Sequence, residues 1–514
     1  MTCTSNTAEP VVRIGMIRAT DKVSFRGSEP CALCDGEGKV RTKLAPGQCY
    51  EVVALESVPA EIEYFVRLAI AEDEITAANL AAKEAQKGWP TTYRQEGLVV
   101  DLGASTVDNR EYWVLAGPFA TEKDAVAFRR AHDIPAVYLV VEQAVRRPRG
   151  VLQCAGQRFR DVVRIVPPSG RKGVITLANV VVGVEFHWQH LEDQQLFGTL
   201  EVTINNQGRL VAIDELLIED YLASVNSSEM TADCPPDLLR AQTVAARATV
   251  LATMGKHHAA EPFHLCADDH CQRYWGAAYV MEDSARATAD TRGEVLLFKG
   301  KVCDARYSKI CGGVAEDYAC VWDERHVPYL VPFVDGPNPI SFPIDDETKA
   351  RAFIDSDPDV FCNTRRYPVP ASLGDSNRLF RWQVTYTREE LQELIARKTG
   401  IDFGELVDLV PGARGVSGRL MSLQVKGSKC TFTVGKELEI RRILSETHLY
   451  SACFYVEREL DAHGKVLRFV LKGAGWGHGV GLCQVGATTM AAQGYDYRQI
   501  LSHYYPGSQL VKLY

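Results

Sequence analysis

The 514-residue sequence predicts an α+β protein, in which a mainly β domain is built around one alanine-rich helix and preceded by a small α+β module. Three observations carry that prediction. Between residues 150 and 216, short apolar runs alternate with glycine-containing turns, the mark of successive strands. From Asp237 to Thr253, the residues Leu238, Ala241, Ala245, Ala248 and Leu251 recur at three and four residues, the period of a helix. Between residues 61 and 145 a strand-then-helix pattern occurs twice.

Composition narrows the class. With 46% hydrophobic and 24% charged residues the chain is globular, and its length suggests about two to four domains. A net charge of -9 offers no basic footprint for nucleic acid. No apolar run approaches the roughly 20 residues of a transmembrane segment. The first ten residues have neither a basic start nor an apolar core, so no signal peptide is visible. Fifteen cysteines are spread from Cys3 to Cys483, unlike the dense framework of a small secreted domain.

Residues 1–60 read as a β-rich leader, with strands over Val11–Ile17 and Cys49–Ala54. Cys31 and Cys34 have metal or redox spacing without a second pair nearby, which leaves an incidental or disulfide role open. In the module at 61–145, strands are expected over Glu63–Ala69, Tyr112–Phe119 and Ala136–Val141. Helices are expected from Ile75 to Lys87 and, capped by Thr121, through Ala131, with Glu122 and Asp124 in the first turn. This order, and above all Tyr112–Arg130, resembles the SPOR domain, a ferredoxin-like module that binds peptidoglycan glycan strands lacking stem peptides. A module of that fold with another role is the alternative.

From residue 150 to 216, strands are expected over Asp161–Val166, Gly173–Leu177 and Val180–Phe186, then a hairpin turning at Asn206-Gln207-Gly208. The hairpin feeds Ile218–Met230, read as a polar turn that delivers Glu229 ahead of Pro235 and Pro236. Those prolines suit the first turn of the alanine-rich helix. In isolation Glu229 reads first as a solvated loop acid. Glu219 and Asp220 suit a structural role at the strand end, and Arg247, on the helix, needs buried partners.

Two long motifs make the reading specific. Leu216–Leu251, with Glu-Asp-Tyr-Leu, Ser-Glu-Met and Arg-Ala-Gln-Thr-Val-Ala-Ala-Arg, and Gly473–Gly507, with Gly-Trp-Gly-His-Gly-Val-Gly, resemble the opening and closing signatures of the stage II sporulation protein D (SpoIID/LytB) family. The resemblance makes 150–514 the catalytic domain, with 336–460 an accessory insertion. It implies a lytic transglycosylase acting on peptide-stripped peptidoglycan glycans outside the cytoplasmic membrane, with Glu229 as its acid. Classical glycoside hydrolysis asks for two carboxylates. A lytic enzyme works with one, because the muramoyl 6-hydroxyl is the nucleophile. The alternatives are a non-catalytic enhancer of a cell-wall amidase and a zinc hydrolase.

Other residues follow from the same resemblance. Gln242, on the alanine-rich helix, is expected to bond an acetamido group or orient Glu229, or else to be structural. Cys266 and Cys271 with His264 and His270 form a ligand set suited to tetrahedral zinc, His257 and His258 being further candidates. A Cys266–Cys271 disulfide is the rival. At Ser308–Gly313 the family's His-Ser-x-Ser/Cys-Gly-Gly loses its histidine and first serine, while Gly312 and Gly313 still permit close backbone approach to a sugar. Trp322 and Tyr329 suit either sugar stacking or the core. The closing loop places Trp476, His478 and Gln484 at the cleft. Within 336–460 the only elements read are strands at Phe380–Tyr386, Leu420–Val425 and Cys430–Val434, and a helix from Arg388 to Lys398 between Thr387 and Gly400.

Overall fold

A computed structural model describes residues 9–514 except 104, 133, 135–137, 171, 184–188, 231–232, 269 and 375. The class is α+β, with strand the larger share at 36% against 24% helix.

Two large sheets carry the main body. In the seven-stranded sheet the order is Leu265–Cys266, Val11–Thr20, Leu210–Leu217, Thr199–Ile204, Val163–Val166, Cys31–Asp35 and Val40–Leu44. The six-stranded sheet runs Gln157–Arg160, Arg149–Cys154, Cys49–Val58, Lys22–Gly27, Ile175–Val182 and His190–Leu196. Strands from the leader and from 149–217 thus share both sheets. Alternation along each strand sorts its side chains by face. Val12 and Ile14 enter the core, while Arg13 turns to the opposite face beside Glu215, its direct cross-strand neighbour. Arg13 binds Glu215 at 2.8 Å and Glu201 at 2.6 Å, and Arg164 completes the ring to both glutamates. This ladder spans four strands and fixes their register.

Residues 180–182, read as the start of a strand separate from 173–177, instead continue one strand, Ile175–Val182, in which Asn179 takes a left-handed φ of 58°; 184–188 lie outside the described residues. Cys31 and Cys34 sit on a strand as free thiols, both pushed up by burial.

Residues 61–146 form a four-stranded antiparallel sheet in the order Val140–Arg146, Glu61–Ala71, Glu111–Phe119, Thr91–Glu96. Helices Glu74–Ala85 and Glu122–Ala131 cover the face of Val66, Val114 and Ala116. The caps are Asp73 and, as the sequence predicts, Thr121. The last strand lies later than the expected 136–141, and 135–137 fall outside the described residues. The module docks on the main body through Asn109, whose Nδ2 donates to the carbonyls of Leu251 and Met254, and through Glu111, which pairs with Lys256.

Beyond residue 336 a second hydrophobic core forms around Trp382, Leu391, Phe403, Leu423, Ile440 and Phe469. Helix Arg388–Thr399 has the predicted ends, a Thr387–Glu390 capping box and Gly400 at φ 67°. Strand Val466–Ala474, central between Arg381–Thr387 and Phe454–Leu460, leaves this core and runs straight into the glycine loop at 475–481.

Candidate active site and metal centre

The segment expected as a polar turn is a helix, Ile218–Glu229, and Glu229 is its last residue. Serine and asparagine are poor helix-interior residues because they compete for backbone groups. Here each has a fixed outside partner. Asn226 donates to Leu239 O and to the Thr243 hydroxyl on the alanine-rich helix, Pro236–Thr253. Ser224 donates to Gly276 O, Ser227 accepts from Met281 N, and Ser228 donates to Arg273 O. The two helices lie close enough for Asn226 to reach both Leu239 O and Thr243, and Ala241, Ala245 and Ala248 of the alanine-rich helix are fully buried. Arg247, fully buried, grips Glu219 with two bonds of 2.9 and 2.6 Å, while the Tyr514 hydroxyl donates to the same carboxylate. Glu219 is therefore structural, though on a helix rather than a strand end.

Glu229 is half-buried. Its Oε1 accepts from the backbone N–H of Arg273 and its Oε2 from Gln484 Nε2, each at 3.4 Å. Gln484 opens helix Gln484–Ala492, which follows the short strand Leu482–Cys483; that strand pairs in parallel with Tyr307–Ser308. Two residues on from Tyr307 is Lys309, whose ammonium is pushed down by burial and partly restored by the charge of Glu229. The Tyr307 phenol is pushed well up by burial first and then by the same carboxylate, and the Tyr221 phenol by burial, then Cys271 and Cys266, and last Glu229. Next to Arg273 lies a small cavity of about 10 Å³ lined by Val180–Gly183, Asp268, Arg273 and Trp275, with the Arg273 guanidinium over the Trp275 ring.

Sequence reasoning overlooked Arg273, Trp275, Tyr307 and Tyr221, and treated Lys309 only as a departure. The available signal was position: Arg273 and Trp275 lie two and four residues after Cys271, and Lys309 lies inside the Ser308–Gly313 segment.

The other expected contacts separate. Gln242 is wholly buried, and neither end of its amide has a hydrogen-bond partner among the described residues. Gly312 and Gly313 take φ of 85° and 116°, but the close approach they allow is to Ala474 and to Phe353 and Val360, inside the protein. Trp476, 37% exposed, exchanges backbone bonds with Ile310 and so staples the glycine loop to this segment. His478 packs on Trp322 with its Nδ1 accepting from Val480 N, and burial, then Arg306 and Arg419, push it down to about 3. It is a neutral ring beside Trp322, not a partner of Glu229 among the described contacts.

The ligand set changes by one member. His258, Cys266, His270 and Cys271 bring one donor atom each to within 4.8 Å of one another. Cys271 Sγ is 3.3 Å from His258 Nε2, and Cys266 Sγ is 3.8 Å from His270 Nδ1. His264 points elsewhere, its Nδ1 buried without a hydrogen-bond partner among the described residues and its ring pushed down to about 4 by burial. His258 takes its place because the chain turns sharply after the alanine-rich helix. His270 and Cys271 converge because the loop is a turn, closed by Cys271 N to Asp268 O. Cys266 and Cys271 are both free thiols. Sharing one pocket pushes Cys266 up to about 12, through Cys271 first and burial second. Two imidazoles and two thiols fit a closed tetrahedral zinc, which would take both as thiolates and relieve that competition. The last ligand lies two residues before Arg273, so such an ion would hold the backbone N–H that meets Glu229.

Comparison with known proteins bears on this region. A family model described as stage II sporulation protein matches residues 206–298, which contain both packed helices and the Cys/His group. A second model, a domain of unknown function (DUF8618), matches 316–481. Stage II sporulation protein D of Bacillus subtilis is 24% identical over 315 residues, 58% of this chain and 76% of its own length. An uncharacterised protein of Brachyspira hyodysenteriae is 26% identical over 332 residues, 64% and 76% respectively. The amidase enhancer of Bacillus subtilis is 26% identical over 301 residues, 56% of this chain and 40% of its own length. These matches support a relation to the stage II sporulation protein D family. No described helix is long and apolar enough to cross a membrane.

Proposed function

We propose that the protein acts on the cell wall as a lytic transglycosylase, cleaving peptide-denuded glycan strands with Glu229 as the single acid and base. The observation that carries the reading is the placement of one half-buried carboxylate at a helix end, between Gln484 and Arg273 N–H, with Trp275 two residues along the same loop. The glutamic acid gives its proton to the oxygen between N-acetylmuramic acid and N-acetylglucosamine as the C1–O bond breaks. The resulting carboxylate takes the proton of the muramoyl 6-hydroxyl, and that oxygen bonds to C1 to give the 1,6-anhydro sugar. One carboxylate suffices because no water is activated. Gln484 orients Glu229, and Trp275 and Trp476 offer apolar faces to pyranose rings. Zinc held by His258, Cys266, His270 and Cys271 is structural in this reading.

The strand order last-first-third-second at 61–146, with both helices on one face, supports reading that module as ferredoxin-like and glycan-binding. A substrate in the wall places the protein outside the cytoplasmic membrane. The relative named amidase enhancer supports a second reading, a non-catalytic glycan binder that stimulates an amidase. One experiment separates them. Purified peptide-free glycan strands incubated with the protein should yield 1,6-anhydro ends, and Glu229→Gln should slow their release about 10²–10⁴-fold. Wild-type release by that variant would defeat the mechanism; no release by the native protein would favour the enhancer.

A further inference from the structure

A second group of ligand side chains lies apart from the Cys266 cluster. Cys311, Asp335, Cys362 and Cys483 are all buried, and one donor atom from each lies within 4.8 Å of the others. We infer that these four side chains form a closed tetrahedral site for one zinc ion, a structural metal that fixes the Gln484 wall of the Glu229 cleft. The inference stands whether or not the cleft is catalytic.

The spacing fits an ion better than a covalent link. Cys311 Sγ lies 3.7 Å from Cys362 Sγ and 3.1 Å from Asp335 Oδ2. Two thiolates on a tetrahedral zinc, each at about 2.3 Å from the metal, stand about 3.8 Å apart, whereas a disulfide brings the sulfurs to about 2.05 Å. Three thiols and one carboxylate in one compact group suit zinc among the common divalent ions.

The surroundings are built for the same purpose. Asp335 Oδ1 accepts from the Tyr504 hydroxyl at 2.9 Å and lies 3.2 Å from His503 Nε2, which leaves Oδ2 turned to the thiols. Backbone N–H groups point at the sulfurs, Gly313 at Cys311, and both Cys311 and Gly486 at Cys483. Such outer contacts orient ligands and stabilise thiolates.

Placement gives the ion its consequence. Cys483 immediately precedes Gln484, Cys311 lies two residues after Lys309, and Asp335 and Cys362 come from two further segments. Four protein ligands leave no open position, so the metal would be structural.

The test uses the full chain. With the first cluster dismantled by Cys266→Ser and Cys271→Ser, the protein should retain one zinc per chain by plasma mass spectrometry, and adding Cys362→Ser should release it. Absence of zinc from the Cys266→Ser/Cys271→Ser protein would overturn the inference. So would a native peptide map joining Cys311 to Cys362 by a disulfide. Because a variant can misfold, the unsubstituted protein supplies an independent measurement. Diffraction at the zinc edge should give an anomalous peak among Cys311, Cys362 and Cys483, and a map without one would equally overturn it.

Discussion

At the scale of single residues, Glu229 and Lys309 act on one another. The charge of Glu229 raises the Lys309 ammonium against burial, and by reciprocity that ammonium favours the carboxylate. The proposed first step needs the protonated acid, so turnover falls as pH rises through the Glu229 titration. Removing the cation raises that titration. Lys309→Met should therefore move the alkaline limb of the kcat/KM profile to higher pH, and an unmoved or lowered limb would remove Lys309 from the site. Gln242 tests a different idea. A buried amide without partners costs roughly 1–3 kcal/mol, so Gln242→Leu should leave the denaturation midpoint unchanged or raise it. If the amide is kept for an acetamido group, the same variant should lose activity on glycan strands while staying folded. Glu229 itself was legible because its motif is contiguous. Its neighbours Arg273, Tyr307 and Lys309 arrive from other segments, and no local pattern joins them.

Among elements, helices with local signals were legible and the one that matters most was not. Pro236–Thr253 announces itself through its apolar period and opening prolines, and Arg388–Thr399 through Thr387, Glu390 and Gly400. Ile218–Glu229 carries Asn226, Ser227 and Ser228 in its last turn and reads locally as a turn. It is helical because those side chains bond to partners on the alanine-rich helix and the 273–281 loop, a tertiary effect that outweighs weak propensity. The Glu219–Arg247 pair clamps the start of the same helix against the alanine-rich one. Breaking a buried pair strands the surviving charge, so Arg247→Met should cost about 3–5 kcal/mol by denaturant titration. Because Glu229 rides at the far end of that helix, activity should fall even at temperatures where the variant stays folded.

For the whole molecule, the expected order of leader, small module and main domain describes the sequence better than the space it fills. Val11–Thr20 pairs with Leu210–Leu217 some two hundred residues later, and such long-range pairing leaves no mark in either strand alone. The small module interrupts this weave and returns to cap it. Asn109 donates to the carbonyls of Leu251 and Met254, groups that a helix end leaves without internal partners. Glu111 adds an ion pair to Lys256 just beyond. The module is thereby tied to the helix that packs beside Glu229, and under the proposed function a glycan held by the module would reach Glu229 in a fixed orientation. Asn109→Ala with Glu111→Lys should loosen that hold while leaving each core intact. Cleavage of short soluble glycans should be unchanged, cleavage of long peptide-free strands should drop several-fold, and small-angle scattering should show a larger radius of gyration. Equal loss on both substrates would mean that the contact serves only to stabilise the helix end, and that the module does not steer the glycan.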